Sequence, residues 1–509
     1  MHLPTFMPVA ILVSITQAAG HVPVVTGPAD WDRDAARSFI YIVPDGFGVA
    51  SQTLARDYVS AIRNGGQIDR PKTFQLAADQ MVLGSVRTQA SDDLVTDSAA
   101  SATAFGCSVK TYNGAIAVDD DRQPVGSILE AAKLDGFKTG LIATSRITHA
   151  TPACYAAHVV HRDSEAKIAE HEIGYGHPLG SVVDILLGGG RCYFKPRGQA
   201  GSCRKGDIDL LEFGKDKGFN VFTDRAGFDK LKGGEAAPLP YVGLFTEGHM
   251  SYEVDRQDNV EPSLLEMTKT ALVSLEKATE KSRRGFFIMI EASRIDHAGH
   301  SNDPIGHLHD TVQYNEVMDF VRSWIDAHPS TTMLSAADHE CGGLTLPFYN
   351  PLVFQAANAS AEALGAVFGK YTGPDPASFL RTIVFPQYGL TNPTDAEIAT
   401  LVALKGKSTF LNEMGKMLSA RGGVHWSTGG HSAADVTLFG YSSEHGGKTL
   451  RYNMAGNWDN TQLPLYIARQ MNLDMSVATK ALRAKGTQWV GRSLEKRFEG
   501  EDGEDHHHH

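Results

Sequence analysis

The sequence has no excess of positive charge and, beyond its first twenty residues, no long apolar run. Its 509 residues include 47 Lys and Arg against 59 Asp and Glu, which gives a formal net charge of -12 and a pI near 5.9. This balance argues against a partner held by a broad cationic surface, such as a nucleic acid. No stretch after residue 20 is long and apolar enough for a membrane-spanning helix. Small acidic substrates stay possible if bound divalent metals reverse the local charge.

Cysteine is also scarce, with five in the whole chain. The odd number leaves at least one cysteine unpaired. Cys192 and Cys203 flank the loop YFKPRGQAGS, and a disulfide that closes such a loop is plausible in an oxidising compartment. Two unrelated loop cysteines are the alternative. The glycosylation sequon at Asn358 agrees with secretion, although such a tripeptide is weak support alone.

Both ends of the chain differ in composition from its interior. Residues 1–20 carry an apolar run and then small residues, which predicts a signal peptide and an address in the secretory pathway. The segment lacks Lys and Arg before the run, so an uncleaved anchor is the alternative. Residues 498–509 are acidic and end in four histidines, so we expect a solvated, disordered tail. We do not count those four histidines among the candidate metal ligands.

Between the ends, short apolar runs alternate with helical patterns. The runs cover residues 38–46, 139–148, 286–293, 331–340 and 435–443, and we interpret them as buried strands of a parallel sheet. The segment 124–136 is one of the helical patterns between them. This alternation predicts one α/β domain over 21–497, a three-layer sandwich around a mostly parallel sheet. Residues 343–425 are richer in Gly, Pro and Asn, and we expect them to form an insertion over the active-site edge.

Acidic and histidine side chains follow several of these predicted strands. Asp45 ends the first run, Glu291 ends the third, and Asp338 with His339 ends the fourth. Because ligands of such folds bind beyond the carboxyl ends of the strands, the sequence predicts a site there. In contrast, Gly188-Gly189-Gly190 lacks the GK[ST] of a phosphate loop, and we interpret it as a turn.

Two further segments carry chemistry. In VTDSAASATAFG, Ser98 begins a predicted helix, where its hydroxyl meets unpaired backbone N–H groups that suit a phosphate. Taken alone, such a residue is more often a helix cap than a nucleophile. In EASRIDHAGH, Asp296 and His300 are four residues apart, so on a helix they can bind one metal. A surface ion pair is the usual alternative for an Asp and a His at this spacing. His431, which precedes a predicted strand, can complete the set of metal ligands.

Six motifs in order resemble the alkaline phosphatase family over residues 43–436. They are VPDGFG, TDSAASATAFG with KTYNGAI, ITHATPA with HVVHR, EASRIDHAGHSND, AADHECGG and STGGHSAADV. The resemblance implies hydrolysis of phosphate monoesters through a covalent phosphoserine on Ser98, with Arg162 holding the phosphate. It also implies a homodimer and a crown-like inserted subdomain. The predicted signal peptide implies a secreted or lumenal address, either vacuole-like or periplasmic.

The resemblance further implies two Zn²⁺ and one Mg²⁺ per chain. The first zinc would be held by Asp296, His300 and His431, and the second by Asp45, Asp338 and His339. The third ion would be held by Asp45, Thr151 and Glu291.

Beside the third site, His149 and His297 stand where the best-known bacterial pattern has Asp and Lys, which allows Zn²⁺ or Co²⁺ instead of Mg²⁺. We expect His158 and His161 to pack or hydrogen bond, and Cys341 to be a buried inert thiol.

Three other functions are weaker alternatives. A sulfatase of the same superfamily would need a C-x-P-x-R context, which the residues after Ser98 do not provide, and related diesterases usually carry Thr as nucleophile and lack the arginine that matches Arg162. A metal- and phosphate-binding protein without catalysis is the alternative from another class. Every matched catalytic position is filled, which favours the enzyme.

Overall fold

A computed structural model describes residues 36–491. The predicted signal peptide 1–20 and tail 498–509 lie outside the described residues. The strands are β1 (Ser38–Pro44), β2 (Val82–Arg87), β3 (Lys138–Arg146), β4 (Ile185–Gly189), β5 (Asn220–Phe222), β6 (Tyr241–Leu244), β7 (Phe286–Ala292), β8 (Thr331–Ala336), β9 (Glu340–Cys341), β10 (Leu344–Thr345), β11 (His425–Trp426), β12 (His431–Ser432), β13 (Val436–Ser442) and β14 (Gly456–Asp459).

Ten of these strands form one sheet in the order β14-β2-β13-β8-β1-β7-β3-β4-β6-β5. The central strand β1 pairs in parallel with β7 and β8, and every residue of β1 and β7 is buried. Such continuous burial explains why these strands are unbroken apolar runs rather than alternating patterns. Helices cover both faces, so the predicted mostly parallel α/β sandwich is confirmed.

The direction of β13 differs from the prediction. Residues 435–443 were expected in a parallel strand, but β13 pairs antiparallel with both β2 and β8. The reason is the path of the chain. Strand β8 ends at the carboxyl edge of the sheet, and a chain that re-enters from that edge runs back in the opposite direction.

The other regular elements are helices. They are α1 (Val49–Arg63), α2 (Ser98–Cys107), α3 (Ile128–Leu134), α4 (Ala150–Ala156), α5 (Glu165–Glu172), α6 (Leu210–Asp216), α7 (Arg225–Asp229), α8 (Leu264–Thr279), α9 (Arg294–His300), α10 (Pro304–Ala327), α11 (Ala361–Lys370), α12 (Pro376–Phe379), α13 (Phe385–Tyr388), α14 (Asp395–Ala403), α15 (Thr409–Gly422), α16 (Glu444–Met454), α17 (Gln462–Met471) and α18 (Met475–Arg483). Short 3₁₀ turns occur at Ala78–Gln80, Arg191–Tyr193, Lys232–Gly234 and Pro351–Ala356, and one π-helical turn at Leu380–Val384. None of the helices in residues 36–491 is long and apolar enough to cross a membrane.

The start of α3 shows how local chemistry sets a boundary. The sequence pattern extends from 124 to 136, yet the helix begins at Ile128 because Ser127 caps it. The Ser127 hydroxyl accepts the Glu130 N–H, and the Glu130 carboxylate accepts the Ser127 N–H at 2.8 Å. This reciprocal capping box satisfies two donors that a helix start otherwise leaves unpaired.

Two large groups of buried apolar side chains form the interior. One fills the space between the ten-stranded sheet and its helices. The other joins α11, α13, α14 and α15 to α1 and α10, through residues such as Phe368, Leu401 and Leu54. The segment 343–425 therefore has its own apolar centre and still packs on the main domain. Its origin as an insertion stays a prediction.

Two smaller expectations have clear outcomes. Cys192 and Cys203 form a disulfide with a Cα–Cα distance of 5.0 Å, while Cys107, Cys154 and Cys341 are buried free thiols. The interpretation of Gly188–Gly190 as a turn was wrong in part. Gly188 and Gly189 belong to β4, where a Cβ on Gly189 would lie 2.2 Å from the Gly248 carbonyl oxygen. Only Gly190, with φ +88°, leaves the strand.

Candidate active site

The acids and histidines that follow the strands meet at the carboxyl edge of the sheet. Asp45 follows β1, Glu291 lies in β7, and Asp338 with His339 follows β8. Gly46 permits this close assembly. It has φ +72°, and a Cβ there would lie 2.5 Å from the Asp296 Cα, so only glycine lets the turn after β1 approach α9.

One cluster joins Asp296, His300 and His431. Asp296 Oδ2 lies 3.3 Å from His300 Nε2, Asp296 Oδ1 lies 3.6 Å from His431 Nε2, and the two Nε2 atoms are 3.1 Å apart. Each histidine donates its Nδ1–H to a backbone carbonyl, His300 to Gly429 at 2.7 Å and His431 to Thr96 at 2.8 Å. Both rings therefore turn Nε2 toward Asp296, the orientation that metal-binding histidines have.

The reversed direction of β13 brings His431 to this cluster. Because β13 is antiparallel, its amino end lies at the edge where the other strands end. The short pairing of β12 with β9 then sets His431 opposite Cys341. The predicted parallel direction would have placed His431 at the other edge of the sheet.

A second cluster joins Asp45, Asp338 and His339. His339 Nε2 lies 3.6 Å from Asp45 Oδ1 and 3.4 Å from Asp338 Oδ2, and all three side chains are buried. Burial and then the neighbouring Asp338 raise the pKa of Asp45 well above its usual range. His339 Nδ1 lies 4.0 Å from Asp296 Oδ1, which makes the two clusters direct neighbours.

The third predicted set of metal ligands is Asp45, Thr151 and Glu291, and contacts join only part of it. Glu291 is close enough to Asp45 to contribute to the raised pKa of that carboxyl, and Glu291 Oε2 accepts the Ser145 hydroxyl at 3.2 Å. Thr151 lies in the first turn of α4 with a buried hydroxyl. That hydroxyl has no hydrogen-bond partner within residues 36–491.

The buried clusters contain carboxylate oxygens that no hydrogen-bond donor reaches. Within residues 36–491 this holds for both oxygens of Asp45 and for one oxygen each of Glu291, Asp296 and Asp338. Buried carboxylates without donors are costly unless a cation compensates them. Oxygen and imidazole nitrogen in such sets suit Zn²⁺, and sets of oxygens suit Mg²⁺. The residues therefore fit the metals that the sequence predicts.

Ser98 begins α2 beside the second cluster. Its hydroxyl oxygen lies 3.0 Å from His339 Nε2. Asp97 caps the helix, since its Oδ1 accepts the Ala100 N–H at 2.8 Å, and its Oδ2 accepts Arg162 Nη1–H at 3.0 Å. Burial opposes ionisation of Asp97, but Arg162 and the backbone N–H groups of Ala100 and Gly114 together outweigh burial and lower the pKa of the carboxyl.

Sequence reasoning missed this anchoring role of Asp97, because an arginine 65 residues away leaves no local signal.

Three histidine rings lie together beside Arg162. The ring centroids of His149 and His297 are 5.5 Å apart, and His249 lies 5.4 Å from the first and 4.2 Å from the second. Arg162 Nη2 is 3.2 Å from His149 Nε2. Burial, and then the guanidinium of Arg162, lower the pKa of His149 well below its usual value. His249 was missed, although its place soon after β6 is the kind of signal that indicated the other strand-end residues.

Cys341 lies closer to the site than its sequence position indicated. Its Sγ is within 4.8 Å of the ligand atoms of Asp296, His300 and His431. Burial, and then the Asp296 charge, raise the pKa of the thiol well above its usual value. A protonated thiol is a poor nucleophile, and the inertness of Cys341 stays a prediction.

Comparisons with known proteins identify the family of the chain. The alkaline phosphatase family matches residues 36–473. The chain is 37% identical to an alkaline phosphatase of Schizosaccharomyces pombe over 457 residues, covering 87% of this chain and 83% of the relative. It is also 37% identical to the repressible alkaline phosphatase of Saccharomyces cerevisiae over 479 residues, covering 88% and 83%.

A solved structure gives the same result for the fold. The alkaline phosphatase of Thermus thermophilus superposes with a TM-score of 0.75 at 26% identity, and the match covers 93% of this chain and all of the other. The chain therefore belongs to the alkaline phosphatase family, enzymes that hydrolyse phosphate monoesters.

Proposed function

We propose that this enzyme hydrolyses phosphate monoesters through a covalent phosphoserine on Ser98. The observation that carries the proposal is the position of the Ser98 hydroxyl. It lies at the amino end of α2, 3.0 Å from His339 Nε2, between the second acid cluster and the Asp97–Arg162 pair. Attack of the Ser98 oxygen on phosphorus releases the alcohol, and water then releases inorganic phosphate. Two in-line steps give net retention at phosphorus.

The metal assignment is part of the proposal. Asp296, His300 and His431 bind one Zn²⁺, while Asp45, Asp338 and His339 bind the other. Asp45, Thr151 and Glu291 bind Mg²⁺, which Zn²⁺ or Co²⁺ can replace. The buried carboxylate oxygens without donors in residues 36–491 support this assignment. When bound, the metals neutralise phosphate oxygens and lower the pKa of a coordinated hydroxyl or water.

The chain's own residues hold the substrate phosphate. One arm of the Arg162 guanidinium is anchored on Asp97, which fixes the plane of the side chain and directs the group toward the start of α2. A planar guanidinium can bind two phosphate oxygens at once, which a lysine ammonium does not do in the same way. Backbone N–H groups at the amino end of α2 supply further positive potential for the phosphate.

The decisive experiment is Ser98→Ala in the metal-loaded enzyme. We expect loss of labelled phosphoenzyme and a fall in kcat by orders of magnitude, with nearly unchanged metal content, because zinc has other ligands. Ser335→Ala is the matched control, since Ser335 is also buried but its hydroxyl contacts only Tyr314 at 2.9 Å among the contacts described. A phosphoserine trapped at another position would contradict the assignment.

The preference for monoesters over diesters rests on Arg162. Comparing turnover of an aryl phosphate with that of the matching diester tests this preference, and faster diester hydrolysis would contradict it.

Secretion or a lumenal address is supported by the Cys192–Cys203 disulfide, because disulfides persist in oxidising compartments. Homodimer assembly is supported by membership of the family, and sedimentation of the metal-loaded enzyme tests it.

A further inference from the structure

A second group of possible metal ligands lies away from the active site. It consists of Glu130 in α3, His158 after α4 and His177 after α5, and their ligand atoms lie within 4.8 Å of one another. Glu130 Oε1 is 3.0 Å from His158 Nε2 and 3.2 Å from His177 Nε2. Their side chains are at most 1% exposed. None of the three belongs to the proposed catalytic set.

The spacing of these atoms matches that of the active-site cluster. Asp296, His300 and His431 have ligand-atom separations of 3.1 to 3.6 Å. Tetrahedral zinc with bonds of about 2.0 to 2.2 Å places its ligand atoms about 3.4 Å apart. A carboxylate oxygen with two imidazole nitrogens is also a ligand set that zinc accepts in proteins.

The surrounding hydrogen bonds leave Glu130 Oε1 and His158 Nε2 facing each other. Glu130 Oε2 is occupied by the Ser127 N–H in the capping box, so Oε1 alone faces the histidines. His158 donates its Nδ1–H to the Ala117 carbonyl at 2.8 Å, the same arrangement as in His300 and His431. A neutral His158 therefore turns a lone pair toward the Glu130 oxygen. Two electron-rich atoms at 3.0 Å require a positive charge between them, either a proton or a metal ion.

His177 faces the same oxygen. Its Nε2 is buried and lies 3.2 Å from Glu130 Oε1, so one carboxylate oxygen meets two imidazole nitrogens. A proton on His158 Nε2 serves only one of these two contacts. A metal ion at the centre of the three atoms can bind all of them at once.

The pocket is closed as a structural site would be. Trp489 packs against His158, His171 and His177, with ring centroids 5.4 to 5.7 Å away. Gly491 pairs with Val159, directly after His158. An ion here would connect α3, the segments after α4 and α5, and the last described residues of the chain.

From this geometry we infer that Glu130, His158 and His177 bind an additional divalent transition-metal ion, zinc or cobalt, with a structural role. Binding displaces the proton on His158 Nε2 to solvent. It also moves the His177 proton from Nε2 to Nδ1, which ends the 3.2 Å contact from the Leu179 N–H to His177 Nδ1. Metal retention therefore weakens as the pH falls, because the ligands must be deprotonated.

The test is the metal content of the full chain after loading with zinc and removal of unbound metal. Glu130→Gln is the main variant, because glutamine keeps the capping box but loses the anionic ligand. We expect it to hold one zinc ion per chain fewer than the wild type. His307→Gln is the matched control: His307 is fully buried, but both its nitrogens have partners, at 3.0 Å to the Ile295 carbonyl and 2.8 Å to the Ser51 hydroxyl. The four C-terminal histidines are common to all three proteins and cancel.

A second measurement needs no variant. Crystals of the zinc-loaded wild type should show an anomalous scattering peak at the zinc edge within bonding distance of Glu130 Oε1, His158 Nε2 and His177 Nε2. Absence of this peak, or its appearance only at millimolar zinc, would overturn the inference and leave a buried imidazolium–carboxylate pair. Equal zinc content in the wild type and Glu130→Gln would overturn it as well.

Discussion

Asp97 connects the helix that carries the proposed nucleophile to the arginine proposed to hold phosphate, so Asp97→Asn should weaken both stability and phosphate binding. In the wild type, Asp97 Oδ1 accepts the Ala100 N–H at 2.8 Å, and Oδ2 accepts Gly114 N–H and Arg162 Nη1–H, both at 3.0 Å. Asparagine can keep the cap on Ala100. Its amide NH₂ then faces two donors, so the other two hydrogen bonds are lost.

The size of the effect follows from those two bonds. Both lost bonds go to the ionised carboxylate, and a hydrogen bond to a charged group contributes about 1.5 to 3 kcal/mol. The side chains of Arg162 and Asp97 are 22% and 19% exposed, so solvent screening keeps the sum near its lower end. We expect a loss of about 3 kcal/mol in all. In a chain of this length that lowers Tm by about 3 °C, because the entropy of unfolding grows with size.

The pH dependence gives a second signature. Arg162 and the backbone N–H groups of Ala100 and Gly114 together outweigh burial and hold the pKa of Asp97 below its usual range. A carboxyl with a depressed pKa stabilises the fold fully above its unfolded-state pKa, and this contribution is lost as pH falls through the lowered folded-state pKa. Asp97→Asn should therefore differ most from the wild type at neutral pH. The difference should shrink in acid, at pH values below the ordinary aspartate pKa.

The assay is calorimetric Tm of the metal-saturated enzyme across pH, together with steady-state kinetics. We expect KM for an aryl phosphate and the inhibition constant of inorganic phosphate to rise, because Arg162 loses its anchor. Asp93→Asn is a suitable control, since exposed Asp93 accepts only the nearby Val95 N–H at 2.9 Å among its described side-chain contacts. Unchanged Tm and unchanged phosphate inhibition in Asp97→Asn would refute the reasoning.

Three further predictions concern metals and the disulfide. Chelators should abolish activity and lower Tm, because bound metal stabilises the native state. Zinc plus magnesium should restore both activity and Tm. Full activity of the metal-stripped enzyme would contradict the mechanism. The double variant His149→Asp with His297→Lys should bind inorganic phosphate more tightly, because lysine adds a permanent charge, and should prefer magnesium more strongly, because a carboxylate suits Mg²⁺. Unchanged phosphate inhibition and an unchanged metal response would show that these histidines do not tune the site. Cys203→Ser should cost about 3 kcal/mol by releasing a short loop, and an unchanged Tm would show that the Cys192–Cys203 disulfide adds no stability.

The sequence alone determined the central strands of the sheet and the candidate residues at their ends, because both depend on local patterns. The runs at 38–46 and 286–293 predicted β1 and β7, since strands buried on both faces are continuous apolar segments. Asp296 and His300 were predicted as a pair from their spacing of four, and they lie 3.3 Å apart on α9. Asp45 was expected at the carboxyl edge because it ends the first run, and it lies there.

Only the tertiary structure decided how segments distant in the sequence lie relative to one another. The direction of β13 depends on where the chain re-enters the sheet, which no window of sequence contains, and this direction brings His431 to Asp296. The pairing of Asp97 with Arg162 depends likewise on how α2 packs beside the segment after α4.

The meeting of Glu130 with His177 is of the same kind. Their side chains are 47 positions apart in the sequence, and each alone is an ordinary capping or buried residue. Local periodicity and spacing fix the elements and the residues at their ends, because those depend on near neighbours in the chain. Which ends meet, and hence which charges compensate each other in the interior, is set by packing of the whole chain.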